Sequence, residues 1–537
     1  MNLEPKRIFQ EYKDCYNFKN SIGSKGIYEQ SRINERFYTG DQWYGVSGAN
    51  DRPLVRHNIV KRIGEYKMSQ IVSNPFSVHF DAEGVPSCTN GKYIKKLTKD
   101  SDFHFKGKKT VDEINIVLKA LSQYHSGTAE RVGFDRLCSR AIKNAYISGT
   151  GIIYTYWDPD VKTGLYMGKN SDIEITGDIK CEVLKVEDLY FADGYLENVQ
   201  SQPFIIISSL VSADYVKLEA KKYGADQRQL DAIKPDSFGK VQLLTKLYKD
   251  YNADGQVTVK CVKVTEDVTV RKSFDTRLRL YPLSVFRWEE RNNLAYGDTE
   301  VTYLIPNQIA INRMITANVW SSVTMGMPIM VVNGDTVNTD ITNEPGQVIK
   351  IYGSNEDVAG AVKYITPPDC LRDFGTAVEN LIQNTLVQSG ANEVALGDSR
   401  PDNASALENM YSAATLPIKL IKGRFYSFVE EISRIWADFW VTQYGERKIR
   451  ISDKSGNWYM PFDAERYKNL YLNAKVDVED TATYTVSERI EILNTLYDKG
   501  LINANQFLER IPKGMLSNTE ELFDQNQSER NESDDRV

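Results

Sequence analysis

Tyr296-Gly297-Asp298-Thr299-Glu300 leads into VTYLIPNQIAINRMITANVWSSVTM, residues 301–325, where Arg313 is the only charged side chain. Leu304, Ile311, Ile315, Val319 and Val323 recur at helical spacing, so the stretch reads as one long helix with few water-seeking groups. Such a helix has to pack against something. Residues 326–366 follow as a Gly-, Pro-, Asn- and β-branched-rich segment that reads as a compact, net-acidic β module, with Asp335, Asp340, Glu344, Glu356 and Asp357 against Lys350 and Lys363. A second helix is predicted from Leu371 to Ser389, a polar loop from Gly390 to Asn403, and a third helix from Ala404 to Tyr444. Pro417 predicts a kink in the third, because it removes a helical hydrogen bond and crowds the preceding turn. Met314 to Gly334 carries no charge and is long enough to cross a bilayer on length alone. Asn318, Ser321, Ser322, Thr324, Gly326 and Pro328 interrupt it and no basic cluster flanks it, so it is not read as a membrane span.

Working toward the N-terminus, residues 5–45 read as two short helices, with Gly40 stopping the second inside Phe37-Tyr38-Thr39-Gly40-Asp41-Gln42-Trp43. A helix from Asn58 to Ser73 places Ile59, Ile63, Tyr66 and Ile71 roughly on one face, and Asn74-Pro75 ends it. Residues 81–110 read as an exposed loop. Helical pattern returns from Asp112 and runs into Ser148-Gly149-Thr150-Gly151. Strands follow at Ile152–Trp157, in the alternation Ile173, Ile175, Ile179, Cys181, Val183, and at Phe204–Ile207. Ser212 is positioned to cap a short helix to Tyr223. Further strands run from Val241 through a hairpin turn at Asn252-Ala253-Asp254-Gly255 and on to Trp288. Beyond the third long helix come a strand-like region and a final helical pair, Ser487 to Arg510. The tail from Gln525 is polar. The fold class is α+β.

The chain has 537 residues, with 66 basic and 73 acidic side chains and a net charge of −7. Ordinary apolar and charged content, 41% and 26%, excludes wholesale disorder and fibrous repeats. Free-standing nucleic-acid binders draw most of their affinity from basic residues, so contact with nucleic acid is expected to be weak or fleeting here. Cys15, Cys88, Cys138, Cys181, Cys261 and Cys370 sit singly, without metal or disulfide spacing, and read as reduced and mostly packed. The N-terminus shows no apolar signal-peptide core, so the chain is expected to stay in the cytoplasm where it is made.

The motifs that could carry chemistry are weak. Asp250-Tyr251-Asn252-Ala253-Asp254-Gly255 resembles the first half of a calcium loop, but Cys261 stands where a bidentate glutamate is needed and the flanks alternate like strands. Gly149-Thr150-Gly151 follows a helix and opens a strand, the reverse of a phosphate loop, and no Gly-x-x-x-x-Gly-Lys-Ser/Thr run exists. His57, His79, His104 and His125 show neither metal-ligand spacing nor a neighbouring nucleophile pattern and read as surface or structural residues. Nothing demands an enzyme, a metal or a cofactor.

The order of segments resembles the portal proteins of tailed bacteriophages, particularly those of long-tailed phages, over most of the chain. The resemblance rests on Phe37 to Trp43 followed by Arg52-Pro53 and Asn58-Ile59-Val60, and on the helix that ends in Gly149-Thr150-Gly151 and enters Ile152 to Trp157. It rests also on Tyr296 to Glu300 opening the uncharged helix, on Leu396-Gly397 with Asn403 to Leu407, and on Leu496 to Ile502.

The resemblance implies a portal fold: a mixed α/β wing, a helical stem, a small β-containing clip and a helical crown, in a ring of about twelve subunits around a DNA channel at one capsid vertex. By position, 1–295 with the returning 446–486 would be the wing, and 298–325 with 367–389 the stem helices, holding Arg313 and Arg372. The clip would be 326–366, with Asp335, Asp340, Glu344, Lys350, Glu356, Asp357 and Lys363 available to partners. The tunnel loop would be 390–403, offering Asn392, Arg400 and Asn403 to DNA. A long kinked helix, 404–445, would lead from the channel, and 487–537 would be crown and polar tail. Implied partners are further copies of the chain, passing double-stranded DNA, the large terminase subunit, the head-tail adaptor, and major capsid and scaffold proteins, with no membrane. The implied location is the portal vertex of the virion, after assembly in the host cytoplasm. Because Arg400 is the only base in the loop, the acidic balance suits a conduit that does not hold its polyanionic cargo. The rival readings are a cytoplasmic hydrolase or transferase with an unrecognised site, and another head-tail ring component.

Overall fold

The computed structural model describes residues 3–46, 53–73, 76–82, 111–161, 177–251, 255–325, 329–335, 337, 348, 350–353, 360–365, 370–391, 404–453, 456–463, 472–478, 486–502 and 507. The predicted 81–110 loop beyond Ala82, the alternation at Ile173 and Ile175, His104, Cys88 and the C-terminal tail lie outside them.

The helices are α1 (Pro5–Ser21), α2 (Gly26–Thr39), α3 (Ile59–Val72), α4 (Val111–Val132), α5 (Phe134–Ser148), α6 (Ala213–Lys222), α7 (Gln227–Ala232), α8 (Glu300–Met325), α9 (Cys370–Gln388), α10 (Ala404–Gln443) and α11 (Val486–Asp498). The strands are β1 (Phe76–Ala82), β2 (Thr150–Asp158), β3 (Asp178–Leu184), β4 (Leu189–Phe191), β5 (Phe204–Ser212), β6 (Lys240–Tyr251), β7 (Val257–Val264), β8 (Thr269–Asp275), β9 (Leu283–Arg287), β10 (Ile329–Val332), β11 (Val362–Ile365), β12 (Glu446–Asp453), β13 (Gly456–Asp463) and β14 (Leu472–Val478). Helix and sheet are mixed, as α+β requires. The chain divides into two units: Met1–Val72 with Val78–Val476, and Ser73–Ser77 with Asp477–Val537.

Local chemistry explains the ends. Pro5 starts α1, where its missing N–H costs nothing. Gly40 takes φ 94° and stops α2, since a side chain is strained in that region. Ser212 stands before α6 as expected, but no side-chain cap bond forms there.

In the larger unit, β4-β5-β6-β7-β8 form one antiparallel sheet and β3-β2-β9 another. The strands that flank the predicted turn pair as β6 and β7, with Tyr251 opposite Val257 and Asp250 held by Lys260 at 2.7 Å, while Asn252, Ala253 and Asp254 lie outside the described residues. Cys261, buried on β7, has its thiol pushed up to about 12 by burial. Among the described residues no group of acids, histidines and cysteines could hold a metal ion. Lys19 on α1 is fully buried, donates to the carbonyls of Val186 and Glu187, and lies 4.0 Å from the Tyr190 ring, which ties α1 to β4.

The later half of α10 is the buried spine of this unit. Ile421, Phe425, Phe428, Val429, Ile432, Ile435, Trp436, Phe439 and Trp440 all sit in the core. The buried Trp440 indole N–H has no hydrogen-bond partner among the described residues, but two of the polar residues are matched: Asp438 accepts from the Arg279 and Leu280 N–H groups at 2.7 and 3.1 Å, and Ser433 Oγ donates to the Val429 carbonyl. That leaves the Ser433 oxygen to accept from His125 Nε2–H at 3.0 Å, a neutral tautomer that burial enforces by pushing the imidazole down to about 4.

In the smaller unit, α11 closes at Gly500, which has φ 68°. The Leu501 N–H returns to the Leu496 carbonyl at 3.0 Å, the paired capping that a left-handed glycine permits. The sequence Leu496 to Ile502 is therefore a helix-end motif.

Candidate functional site

The long uncharged helix is α8, and it runs antiparallel to α9. Asn307 Nδ2 donates to Thr385 Oγ1 at 3.2 Å near one end, and a Cβ placed on Gly375 would lie 4.0 Å from Asn318 Nδ2 further along. Beyond the helices, β10 and β11 pair as an antiparallel ribbon from Ile329↔Ile365 to Val332↔Val362. The predicted helix, β module, helix series is thus one hairpin with a two-stranded ribbon at its far end.

The two halves of α8 differ. Val301, Leu304, Gln308, Ile311 and Asn312 are buried against the body. Beyond Thr316 no described residue of the helix is buried, and Val323 is 67% exposed. The predicted face therefore holds at Leu304 and Ile311 and opens at Val323. On α9, Val387 is also largely exposed.

The root of the hairpin is fixed by a ladder that apolar spacing does not reveal. Residues 53–58 form neither helix nor strand and lie along α8. The N–H groups of Val55, His57 and Ile59 donate to Thr316 Oγ1, Asn312 Oδ1 and Gln308 Oε1 at 3.1, 3.0 and 2.9 Å. Four helical residues advance ~6 Å, and alternate backbone N–H groups of the segment meet every fourth helical side chain. Gln308 Nε2 donates to the His57 carbonyl at 2.6 Å, and Asn312 Nδ2 donates to Gln42 Oε1 at 2.6 Å. Asn58 Nδ2 donates to the Tyr38 carbonyl and Trp43 Nε1 to the Val55 carbonyl, each at 3.0 Å. Phe37 to Trp43 and Asn58 to Val60 together make the socket for α8.

Tyr296 to Glu300 joins α8 to the sheet. Gly149 and Gly297 face each other so closely that a Cβ on either would lie 2.4 or 2.3 Å from the other's carbonyl oxygen. Gly297 N–H donates to Thr150 Oγ1 at 3.0 Å, and Thr299 Oγ1 donates to the Tyr146 carbonyl. Gly149-Thr150-Gly151 is a packing turn, in keeping with its reversed order. Glu300 meets Lys67 in a mostly buried ion pair; burial raises its carboxyl above the usual range and Lys67 opposes the rise.

The remaining candidates are dispersed. Arg313 is exposed on α8, and Arg372 lies in the first turn of α9. Asp335 is exposed in the turn after β10, where its N–H donates to Asn333 Oδ1 at 3.1 Å. Lys363 is exposed on β11, and Lys350 is exposed beside the Val337↔Ile351 bridge. Asp340, Glu344, Glu356 and Asp357 lie outside the described residues, as do Asn392, Arg400 and Asn403. Both ends of the 392–403 loop are placed. Gly390 takes φ 77° at the end of α9, and a Cβ there would lie 3.2 Å from the Pro417 ring. Pro417 stands well inside α10, which passes it as one continuous helix. At ~1.5 Å per residue the start of α10 extends about 20 Å from that contact, and the loop has to span the difference.

Sequence reading missed Gln308, Asn312 and Thr316. Their signal was present as three polar residues at every fourth position of a nearly uncharged helix. No family model matches the chain, and no curated protein matches it. No helix among the described residues is long and apolar enough to cross a membrane.

Proposed function

We propose that the chain is a portal-type subunit, a non-enzymatic protein that closes into a ring of about twelve copies with heterologous contacts between neighbours. The observation that carries this reading is the α8–α9 hairpin, socketed in the body at its root, whose helix α8 beyond Thr316 holds only uncharged side chains, none of the described ones buried. An uncharged helical surface of that kind is stable when neighbouring copies cover it. In the ring, the hairpin is the stem around a double-stranded DNA channel, and the β10–β11 ribbon with its acidic surroundings is the clip that meets the terminase and then the head-tail adaptor. The segment 392–403 lines the channel, and its contacts are to phosphates without sequence information. Motion of DNA is then driven by a partner.

Negative-stain microscopy of the purified protein tests the reading: rings with a central opening are expected, and fields of single particles of monomer size would reject it. Removing 326–366 is expected to leave the body folded while abolishing terminase binding. Retained binding would reject the clip assignment.

A further inference from the structure

Away from the hairpin, α1 lies against the five-stranded sheet, where its Ile8 and Cys15 share a core cluster with Ile206, Leu244 and Val264. Its link to α2 turns at Gly23 and Gly26, φ 71° and 74°, and a Cβ on Gly26 would lie 2.9 Å from the Asn20 backbone. Glycine at these two places makes the link a hinge on which α1 folds back.

Two buried lysines fasten α1, and they are unlike. Lys246 of β6 is fully buried and pairs with Glu11 of α1. Lys19 of α1 is buried as completely, yet it makes no ion pair among the described residues. Its amine donates to the Val186 and Glu187 carbonyls and lies 4.0, 5.3 and 5.3 Å from the centres of the Tyr190, Tyr28 and Tyr296 rings. A neutral amine keeps two N–H donors, enough for the two carbonyls, whereas the third donor of an ammonium meets only ring faces. Carbonyls and rings bring no full counter-charge, so a buried ammonium here is costly.

We propose that α1 is a pH-sensitive strap with Lys19 as its sensor: the neutral amine holds the helix on the sheet, and the protonated amine loosens it and uncovers the apolar strip beneath.

The surroundings of the amine set the direction. Cys15 faces it from α1, Tyr28 from α2, Glu187 and Asp188 from the turn before β4, Tyr190 from β4, and Tyr296 from the segment before α8. Burial pushes the amine down to about 7 from its ordinary 10.5, with Glu187, Asp188 and Cys15 opposing the fall. Burial also raises the Asp188 carboxyl, between Glu187 and Lys185, and the three tyrosine hydroxyls. It lifts the Cys15 thiol to about 11 from 9.0, so the thiol counts only near pH 9 and above. The released helix carries an ordinary amine and binds the extra proton between about 7 and 10.5. The hold therefore strengthens as pH rises from 7 and is weakest below it. The proposal does not depend on ring formation, because every group comes from one chain.

Hydrogen exchange of the whole protein, read by mass spectrometry and corrected for the intrinsic pH dependence of amide exchange, is the test. Between about pH 7 and pH 9 the protection of residues 5–21 should rise at least about tenfold, while that of residues 425–440 in α10 stays within about twofold. Lys19→Met should keep the strap docked and abolish the rise. Lys19→Gln, which retains a donor for the carbonyls, should do the same and stands in if the first variant fails to fold. Lys246→Met should lower protection at every pH and leave the rise intact. A wild-type α1 whose protection does not change with pH overturns the proposal, as does a rise that survives either Lys19 variant or disappears in Lys246→Met.

Discussion

The later half of α10 and the outer half of α8 are both helical and poor in charge, yet they meet opposite surroundings. Around α10 the apolar side chains Phe425, Phe428, Val429, Ile432, Ile435, Trp436, Phe439 and Trp440 are covered by the same chain, and Asp438 and Ser433 have their partners. Along α8 beyond Thr316, which packs beside α9, the uncharged side chains remain half exposed or exposed among the described residues. Composition alone does not separate the two cases; the supply of covering surface does. On the proposed reading, the body folds by itself and the hairpin is the part that other copies cover.

The sharpest way to break this comparison is to damage each region and compare folding with assembly. Trp440→Ala, at a fully buried position, should destabilise the body by about 4 kcal/mol in chemical denaturation. A loss under ~1 kcal/mol would mean that α10 is not the spine. Next in size is Gly64→Ala. Its Cβ would lie 2.3 Å from the Tyr146 ring, whose hydroxyl donates to the Val60 carbonyl at 2.7 Å, so a loss of about 2–3 kcal/mol is expected.

Gln308→Ala tests the joint between the regions. It strips a partner from the Ile59 N–H and from the His57 carbonyl, with an expected cost of about 2 kcal/mol. Hydrogen exchange should accelerate at Ile59 and at residues 301–316 and stay unchanged in β5 and β6. At the small end, Val323→Lys should alter monomer stability by no more than about 0.5 kcal/mol while reducing assembly strongly, measured by sedimentation. Equal assembly of wild type and variant would remove the outer half of α8 from the interface.

A pH scan sharpens the account of the body. The folded-state value of His125, about 4, lies below its ordinary 6.5, so the unfolded chain binds the extra proton between these values. Its contribution to stability is complete above pH 6.5 and is lost progressively toward pH 4. His125→Phe should flatten that part of the stability profile relative to wild type.

The sequence told much about which segments would be helices and little about what holds them. Gly40, Gly500 and the spacing of Leu304 with Ile311 are local signals, legible because helix ends and faces are decided within a few residues. The pairing of Tyr251 with Val257 was legible for the same reason. The ladder from Thr316 to Gln308 was not legible, because its partners lie in the 53–58 segment, far away in sequence, and a polar residue on a helix ordinarily means solvent.

The central claim is that the exposed, uncharged outer half of α8 is an interface between copies. Native mass spectrometry of the intact 61.1 kDa chain measures this most directly. The account predicts a dominant closed species near about 730 kDa, on the order of twelve copies, with Val323→Lys shifting the population toward single chains. A protein that stays monomeric or dimeric at micromolar concentration, across low and high salt, would contradict it.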